Sequence, residues 1–176
     1  MLDAKLNADE AAVMAKFEEL VRHFLGGHTL KSYAGMGRDE MEAIYATAHN
    51  FFQGGNLDKA TELMKLLCLY DHTEFRWFYG FGTVRQAAKD WPKALEAYGL
   101  ATLLDMEDPR PQAQAGYCLM ALERWPEAES ALEGAILACD NQAPRHADVK
   151  KQAEELLSIA KAKSVAAAAG KKGKQA

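Results

Sequence analysis

Apolar residues recur at helical spacing along most of the chain. Near its start, Met14, Phe17, Val21 and Phe24 lie three or four positions apart, so they fall on one side of a helix. The pair Gly26-Gly27 follows, as at the end of many helices. Similar stripes continue to about residue 160, and no stretch alternates in the way a strand on one face of a sheet does. The pattern therefore predicts an all-α protein.

The central part of the chain repeats itself every thirty-four residues. Two series of small residues keep this spacing, Ala48, Gly82 and Gly116 in one and Ala60, Ala94 and Ala128 in the other. This period is typical of the tetratricopeptide repeat, a pair of helices that cross closely where both are small. We therefore predict three tetratricopeptide repeats forming a curved helical solenoid, flanked by N-terminal and C-terminal capping helices.

Breaks in the pattern divide the chain into four segments. We predict an N-terminal helix and linker over residues 1–38, three repeats over 39–142, a C-terminal capping helix over 143–163 and a disordered basic tail over 164–176. The N-terminal helix has two interpretations. It covers the apolar edge of the first repeat, as terminal units of a solenoid do, or it pairs with its own copy through Phe17, Val21 and Phe24.

Composition and charge argue against several classes of function. The 176 residues carry a formal net charge of -4, which gives no basic footprint for nucleic acid. No run of about eighteen apolar residues is present, and the N-terminus lacks the apolar centre of a secretion signal. The five histidines and three cysteines show none of the spacings typical of metal sites, and no nucleophile has a positioned base. We therefore expect a cytoplasmic protein without metal, cofactor, membrane insertion or enzymatic activity.

The first helices of the repeats line the concave side of such a solenoid, and their inward positions are rich in aromatic residues. These positions hold Tyr45, His49 and Phe52 in the first repeat, Tyr79 in the second and Tyr117 in the third. Aromatic side chains beside a few polar ones suit a groove for an extended peptide. In the alternative interpretation, Tyr45 and Phe52 pack under the N-terminal helix.

Several short segments resemble one family in particular. They are the run LCLYDH from Leu67 to His72, the segment Gly80–Gly82 followed by Arg85-Gln86, the run from Asp105 to Arg110, and Ala128–Ser130. Over roughly Gly26 to Ala138 the chain is similar to the class II chaperones of bacterial type III secretion. Members of that family have three tetratricopeptide repeats between an N-terminal and a C-terminal helix, which agrees with the fold predicted above.

The resemblance also implies a function. Such chaperones work in the bacterial cytoplasm and bind hydrophobic translocator proteins before export, taking a short, extended N-terminal segment rich in Pro and Leu into the concave groove. Matched by position, the family's groove residues correspond here to Tyr45, Phe52, Leu66, Tyr70 and Tyr98. Many members form homodimers through the N-terminal helix. The alternative function is a generic tetratricopeptide scaffold that joins two protein partners.

Overall fold

The computed structural model describes residues 2–141 and 144–172, which form nine α-helices and no strand. In chain order these helices are α1 (Leu2–Leu25), α2 (Leu30–Tyr33), α3 (Arg38–Gln53), α4 (Leu57–Tyr70), α5 (Phe75–Ala87), α6 (Trp91–Leu104), α7 (Pro109–Ala121), α8 (Trp125–Asn141) and α9 (Ala147–Lys172). From α3 onward each helix packs against the next one in the chain. The pairs α3–α4, α5–α6 and α7–α8 are the three repeats, and the predicted all-α solenoid is confirmed.

The two helices of a repeat cross at the small residues that the period predicts. At Gly82 an added Cβ would lie 2.6 Å from Cε1 of Tyr98, and at Gly116 it would lie 2.6 Å from Cγ of Leu132. Glycine therefore lets a large side chain of the second helix lie directly on the backbone of the first. The alanines of both series are fully buried at the same crossings: Ala48, Ala60, Ala94 and Ala128.

Each repeat turns between its helices through one residue with left-handed backbone. Gly55, Lys89 and Glu123 have φ angles of 75°, 58° and 57° and are thirty-four residues apart. In all three turns the next residue's N–H donates to the carbonyl five positions back, over 2.8, 3.0 and 2.9 Å. This is the usual way in which a helix ends at a left-handed residue. Lys89 and Glu123 adopt this left-handed conformation although neither is glycine.

Within residues 2–141 and 144–172, the core forms a series of three clusters along the stack. The first surrounds Met64 and Leu67, the second surrounds Tyr98 and Cys118, and the third surrounds Leu132. Each cluster is shared by neighbouring helices, so the hydrophobic interior follows the direction of the chain.

Helix α9 closes the C-terminal end of the stack. Ala153 and Ala160 are fully buried in the cluster that α9 shares with α7 and α8. The helix runs on to Lys172, beyond residue 163, where we expected a disordered tail to begin. The run Ala166–Ala169 accounts for this difference, because alanine has the highest helix propensity. The remainder of the predicted tail, 173–176, lies outside the described residues, as do 142 and 143.

Helix α1 packs on the short helix α2, within the segment predicted as a linker. The Nε2 atom of His23 lies 2.8 Å from Oγ of Ser32 and 3.1 Å from the carbonyl oxygen of Thr29. The apolar stripe of α1 is left open, with Phe17, Val21 and Phe24 exposed by 58%, 38% and 41%.

Candidate peptide-binding groove

The candidate groove is lined by the first helices of the repeats, and its side chains contact their counterparts in the next repeat. Glu42 of α3 accepts a hydrogen bond from Arg76 of α5, which stands thirty-four residues later. The guanidinium of Arg76 lies 5.6 Å from the ring centroid of Tyr45 and 4.8 Å from that of Trp77. An ion pair flanked by aromatic rings therefore connects α3 to α5.

A second arginine occupies the same repeat position on α7. Arg110 lies 5.2 Å from the ring centroid of Tyr79 and 5.6 Å from that of Phe75, and these two rings are stacked. Its Nε donates to both carboxylate oxygens of Asp108, at 2.9 and 3.0 Å. Burial of Asp108 opposes its ionisation, but the hydrogen bonds from Arg110 outweigh that effect and lower the carboxyl pKa. The groove thus presents fixed cations beside aromatic rings.

Two glutamines form a polar floor across the repeats. Gln86 of α5 donates through Nε2 to Oε1 of Gln114 on α7, at 2.9 Å. Its own Oε1 accepts from the hydroxyl of Tyr98 at 2.8 Å. Each amide is oriented by its neighbour, so the floor is a fixed pattern of donors and acceptors.

Tyr98 contacts the polar floor from the core side and does not line the groove. Its ring fills the space beside Gly82 and only 1% of the residue is exposed, so the structure places in the core a residue that the resemblance assigns to the groove. Burial raises the pKa of its phenol above the ordinary value. The group therefore stays neutral and keeps its hydrogen bond to Gln86.

The structure brings together the predicted residues of α3, the first helix of the first repeat. The rings of Tyr45 and His49 are stacked with centroids 6.4 Å apart, and His49 lies 6.4 Å from Phe52. Tyr45 and Phe52 are half-buried against the first core cluster, whereas His49 is exposed and contacts Nε2 of Gln53 at 2.9 Å. The two aromatic residues therefore combine core contacts with open surface.

Three other predicted residues lie apart from this cluster. Leu66 and Tyr70 belong to α4, the second helix of the first repeat; Leu66 is exposed and Tyr70 packs on the first core cluster. Tyr117 is exposed on α7, and its ring centroid lies 6.0 Å from that of Trp91 in an edge-to-face arrangement. Their part in the groove stays a prediction.

Sequence reasoning missed Phe75 and Gln114 as part of this surface, and Trp77 as a buried ring in contact with Arg76. Phe75 and Trp77 flank Arg76 in the run FRWFY, and their rings contact the groove arginines. The density of aromatic residues in that run was the available signal. Gln114 offered none, because only its contact with Gln86 shows its place.

Other chemistry is limited in the part of the chain that the structure describes. No three His, Cys, Asp or Glu side chains there come together as a metal site would require. Burial raises the pKa of the Cys68 thiol to about 12 and that of Cys118 to about 11, so both thiols are protonated at neutral pH. Among the described helices, none has the length and apolar character needed to cross a membrane.

Comparison with known proteins finds similar sequences among bacterial chaperones. The family model described as tetratricopeptide repeat matches residues 41–73. Low calcium response locus protein H of Yersinia pestis is 33% identical over 107 residues, which are 61% of this chain and 64% of that protein. This chain thus spans just under two thirds of that relative's length. Chaperone protein SicA of Salmonella dublin is 30% identical over 132 residues, 75% of this chain and 78% of SicA.

A solved structure is similar to this chain in both fold and sequence. The type III secretion chaperone SycD of Yersinia enterocolitica, in complex with a peptide of the translocator YopD, matches with a TM-score of 0.68 and 30% identity. The match covers 73% of this chain and 97% of SycD. The extent of the match to SicA, the shared fold and the repeat match lead to one assignment. This chain belongs to the class II chaperones of bacterial type III secretion systems.

Proposed function

We propose that this protein holds hydrophobic translocator proteins of a type III secretion system in the bacterial cytoplasm before their export. It binds a short N-terminal segment of the translocator, in extended form, in the groove of α3, α5 and α7. The aromatic and cationic lining of that groove carries the proposal. The similarity to SycD, which was solved with a translocator peptide, supports it.

The groove has the chemistry that an extended peptide requires. Such a peptide shows side chains on alternate sides and leaves its backbone N–H and carbonyl groups free. Tyr45, Phe52 and Tyr79 offer ring surfaces for Pro and Leu side chains, and aromatic-lined grooves are a common way to bind Pro-rich segments. In this proposal the amides of Gln86 and Gln114, which share one hydrogen bond of 2.9 Å, bind the peptide backbone through their remaining donors.

Binding of a client protein depends on the apolar surface that the complex buries, and it needs no chemical step. A translocator has apolar segments that aggregate in water, and a bound partner removes part of that surface. A standard protein interface buries about 800 Å² on each side. The relatives are chaperones, which agrees with a binding role in place of catalysis.

In this proposal the repeats over residues 39–142 form the binding unit and α9 closes it. Tyr45 and Phe52 are the main anchors because they combine open surface with core support. His49 and Tyr117 lie at the same position of different repeats and shape the ends of the groove.

The test replaces both anchors, in the variant Tyr45→Ala/Phe52→Ala. Loss of about 1–3 kcal/mol for each anchor weakens binding by roughly 30-fold to 10⁴-fold in combination. Calorimetric titration with a peptide covering the N-terminal segment of a translocator from the same organism measures the effect. Tyr33→Ala removes an exposed aromatic outside the groove and should leave binding unchanged.

Circular dichroism must show that the double variant is folded, since both anchors contact the core. Undiminished binding by the folded variant would place the client on another surface. If folded partners bind and the translocator segment does not, the protein is a scaffold and the proposal fails.

A further inference from the structure

A polar cavity of about 480 Å³ lies at the N-terminal ends of α3 and α5, where the short helix α2 also reaches it. Glu42 and Arg76, the ion pair that connects α3 to α5 beside Tyr45, form part of its wall. Its volume is within the range of about 300–1,000 Å³ that is usual for ligand sites. The cavity therefore adjoins the candidate groove and shares side chains with it.

The charged side chains of this cavity are paired with one another. Three cations and three carboxylates line it: Lys31, Arg38, Arg76, Glu42, Asp71 and Glu74. Lys31 lies 2.6 Å from Asp71, and Arg76 donates to Glu42 and lies 3.6 Å from Glu74. The formal charges cancel, so the cavity favours a neutral polar group over an ion.

Trp77 also lines the cavity and has a donor without an acceptor. The residue is only 3% exposed, and its ring centroid lies 5.3 Å from that of Tyr45. Its indole Nε1 is buried and has no hydrogen-bond partner in the part of the chain that the structure describes. Buried donors in native proteins are nearly always paired, so this N–H points to an acceptor that arrives with a ligand.

The most suitable acceptor is the carbonyl of a peptide bond. An indole N–H donates one hydrogen bond and accepts none. A carboxylate would add a fourth negative charge to a cavity whose three cations already face three carboxylates. A peptide carbonyl brings no charge, and every residue of an extended segment offers one.

We propose that the client segment continues from the groove past the ion pair of Glu42 and Arg76 into this cavity, where one of its main-chain carbonyls accepts the N–H of Trp77. This inference rests on the proposed function and extends it to the residues that flank the apolar anchors of the segment. The donor is already buried and unpaired in the free protein, so the new hydrogen bond costs no further desolvation of Trp77. Trp77 thereby fixes the register of the client in the groove.

The test compares two translocator peptides by calorimetric titration, one with the apolar core of the segment alone and one lengthened at both ends. Lengthening should lower the Kd for the parent protein by about fivefold to a hundredfold, the worth of pairing a buried donor. Trp77→Phe keeps a ring and removes the N–H, so it should bind both peptides with nearly equal Kd. The matched control Trp125→Phe changes a half-buried tryptophan on α8, outside the cavity, and should keep the gain.

Nuclear magnetic resonance of the ¹⁵N-labelled indole groups gives a readout in the unmodified protein. This readout matters because Trp77 belongs to the first core cluster, and circular dichroism must show that Trp77→Phe is folded. Each Trp→Phe variant lacks one indole peak and so assigns it. The lengthened peptide should move the Trp77 indole proton downfield and leave that of Trp125 in place, whereas the core peptide should move the Trp77 proton less.

Three results would overturn the inference: a lengthened peptide that binds no better than the core, a gain in affinity that persists in folded Trp77→Phe, or a Trp77 indole peak that stays in place. None of them concerns the anchors, because the variant Tyr45→Ala/Phe52→Ala is tested with the core peptide. Failure of this inference is therefore distinct from failure of the proposed function, in which neither peptide binds the parent protein.

Discussion

Asp71 is a buried carboxylate that connects the short helix α2 to the turn after α4. Its side chain is 8% exposed and accepts hydrogen bonds from Nζ of Lys31 at 2.6 Å and from Oγ1 of Thr73 at 2.7 Å. Burial opposes ionisation, but the hydrogen bonds from Lys31 and Thr73 outweigh it and lower the pKa. At the scale of a single residue, a charge is kept in the interior because each oxygen has a partner.

We expect Asp71→Asn to reduce the free energy of unfolding by about 1–3 kcal/mol at pH 7, because it removes a charge-assisted hydrogen bond. The folded pKa is below the unfolded value of about 3.9, so this contribution is present above that value. It disappears as the pH falls through the folded pKa. Urea unfolding of both proteins at pH 7 and near pH 3 measures the change.

The difference in the free energy of unfolding between the parent protein and Asp71→Asn should therefore be smaller near pH 3 than at pH 7. Lys31→Met provides the partner test, since it leaves Asp71 charged and without its cation. If this difference in unfolding free energy is equal at both pH values, the charge of the Asp71 carboxylate contributes nothing to stability.

At the scale of the elements, each repeat depends on the close crossing of its two helices. Ala94 is fully buried on α6, and its counterparts Ala60 and Ala128 are equally buried. A side chain longer than a methyl group cannot fit there without moving one helix.

Ala94→Glu should therefore cost several kcal/mol of stability, because it adds volume and an unpaired charge to a closed crossing. The matched control is Ala46→Glu, an exposed position within α3, which should change stability by about 0.5 kcal/mol or less. Thermal unfolding followed by circular dichroism compares them. Equal melting temperatures would contradict the role assigned to the crossing.

The crossings could be predicted from the sequence because the same steric requirement recurs in every repeat. Tyr98 could not be placed in this way. It occupies the space that Gly82 leaves open, and the spacing of residues does not show which side chain fills a gap. Gln114 was missed for a related reason, since its role follows from its partner Gln86 on another helix. The tail is helical as far as Lys172 because its run of alanines favours helix, whereas its low complexity and basic charge predict disorder.

At the scale of the whole molecule, the groove lies on α3, α5 and α7, and a separate cleft is lined by residues of α4, α5 and α6. Helix α5 therefore takes part in both surfaces, through different side chains.

Because the three core clusters lie in series, parts of the stack can unfold separately. When each repeat touches only its neighbours, the stack can open from its ends without losing its middle. Native-state hydrogen exchange should therefore show α9 opening at a lower free energy than α5 and α6. A bound translocator peptide should slow exchange in α3 to α7 and leave α9 nearly unchanged, whereas equal slowing in every helix would mean that the molecule opens as one unit. In the expected case, client binding restrains the groove helices of the three repeats locally, and the C-terminal helix continues to open and close.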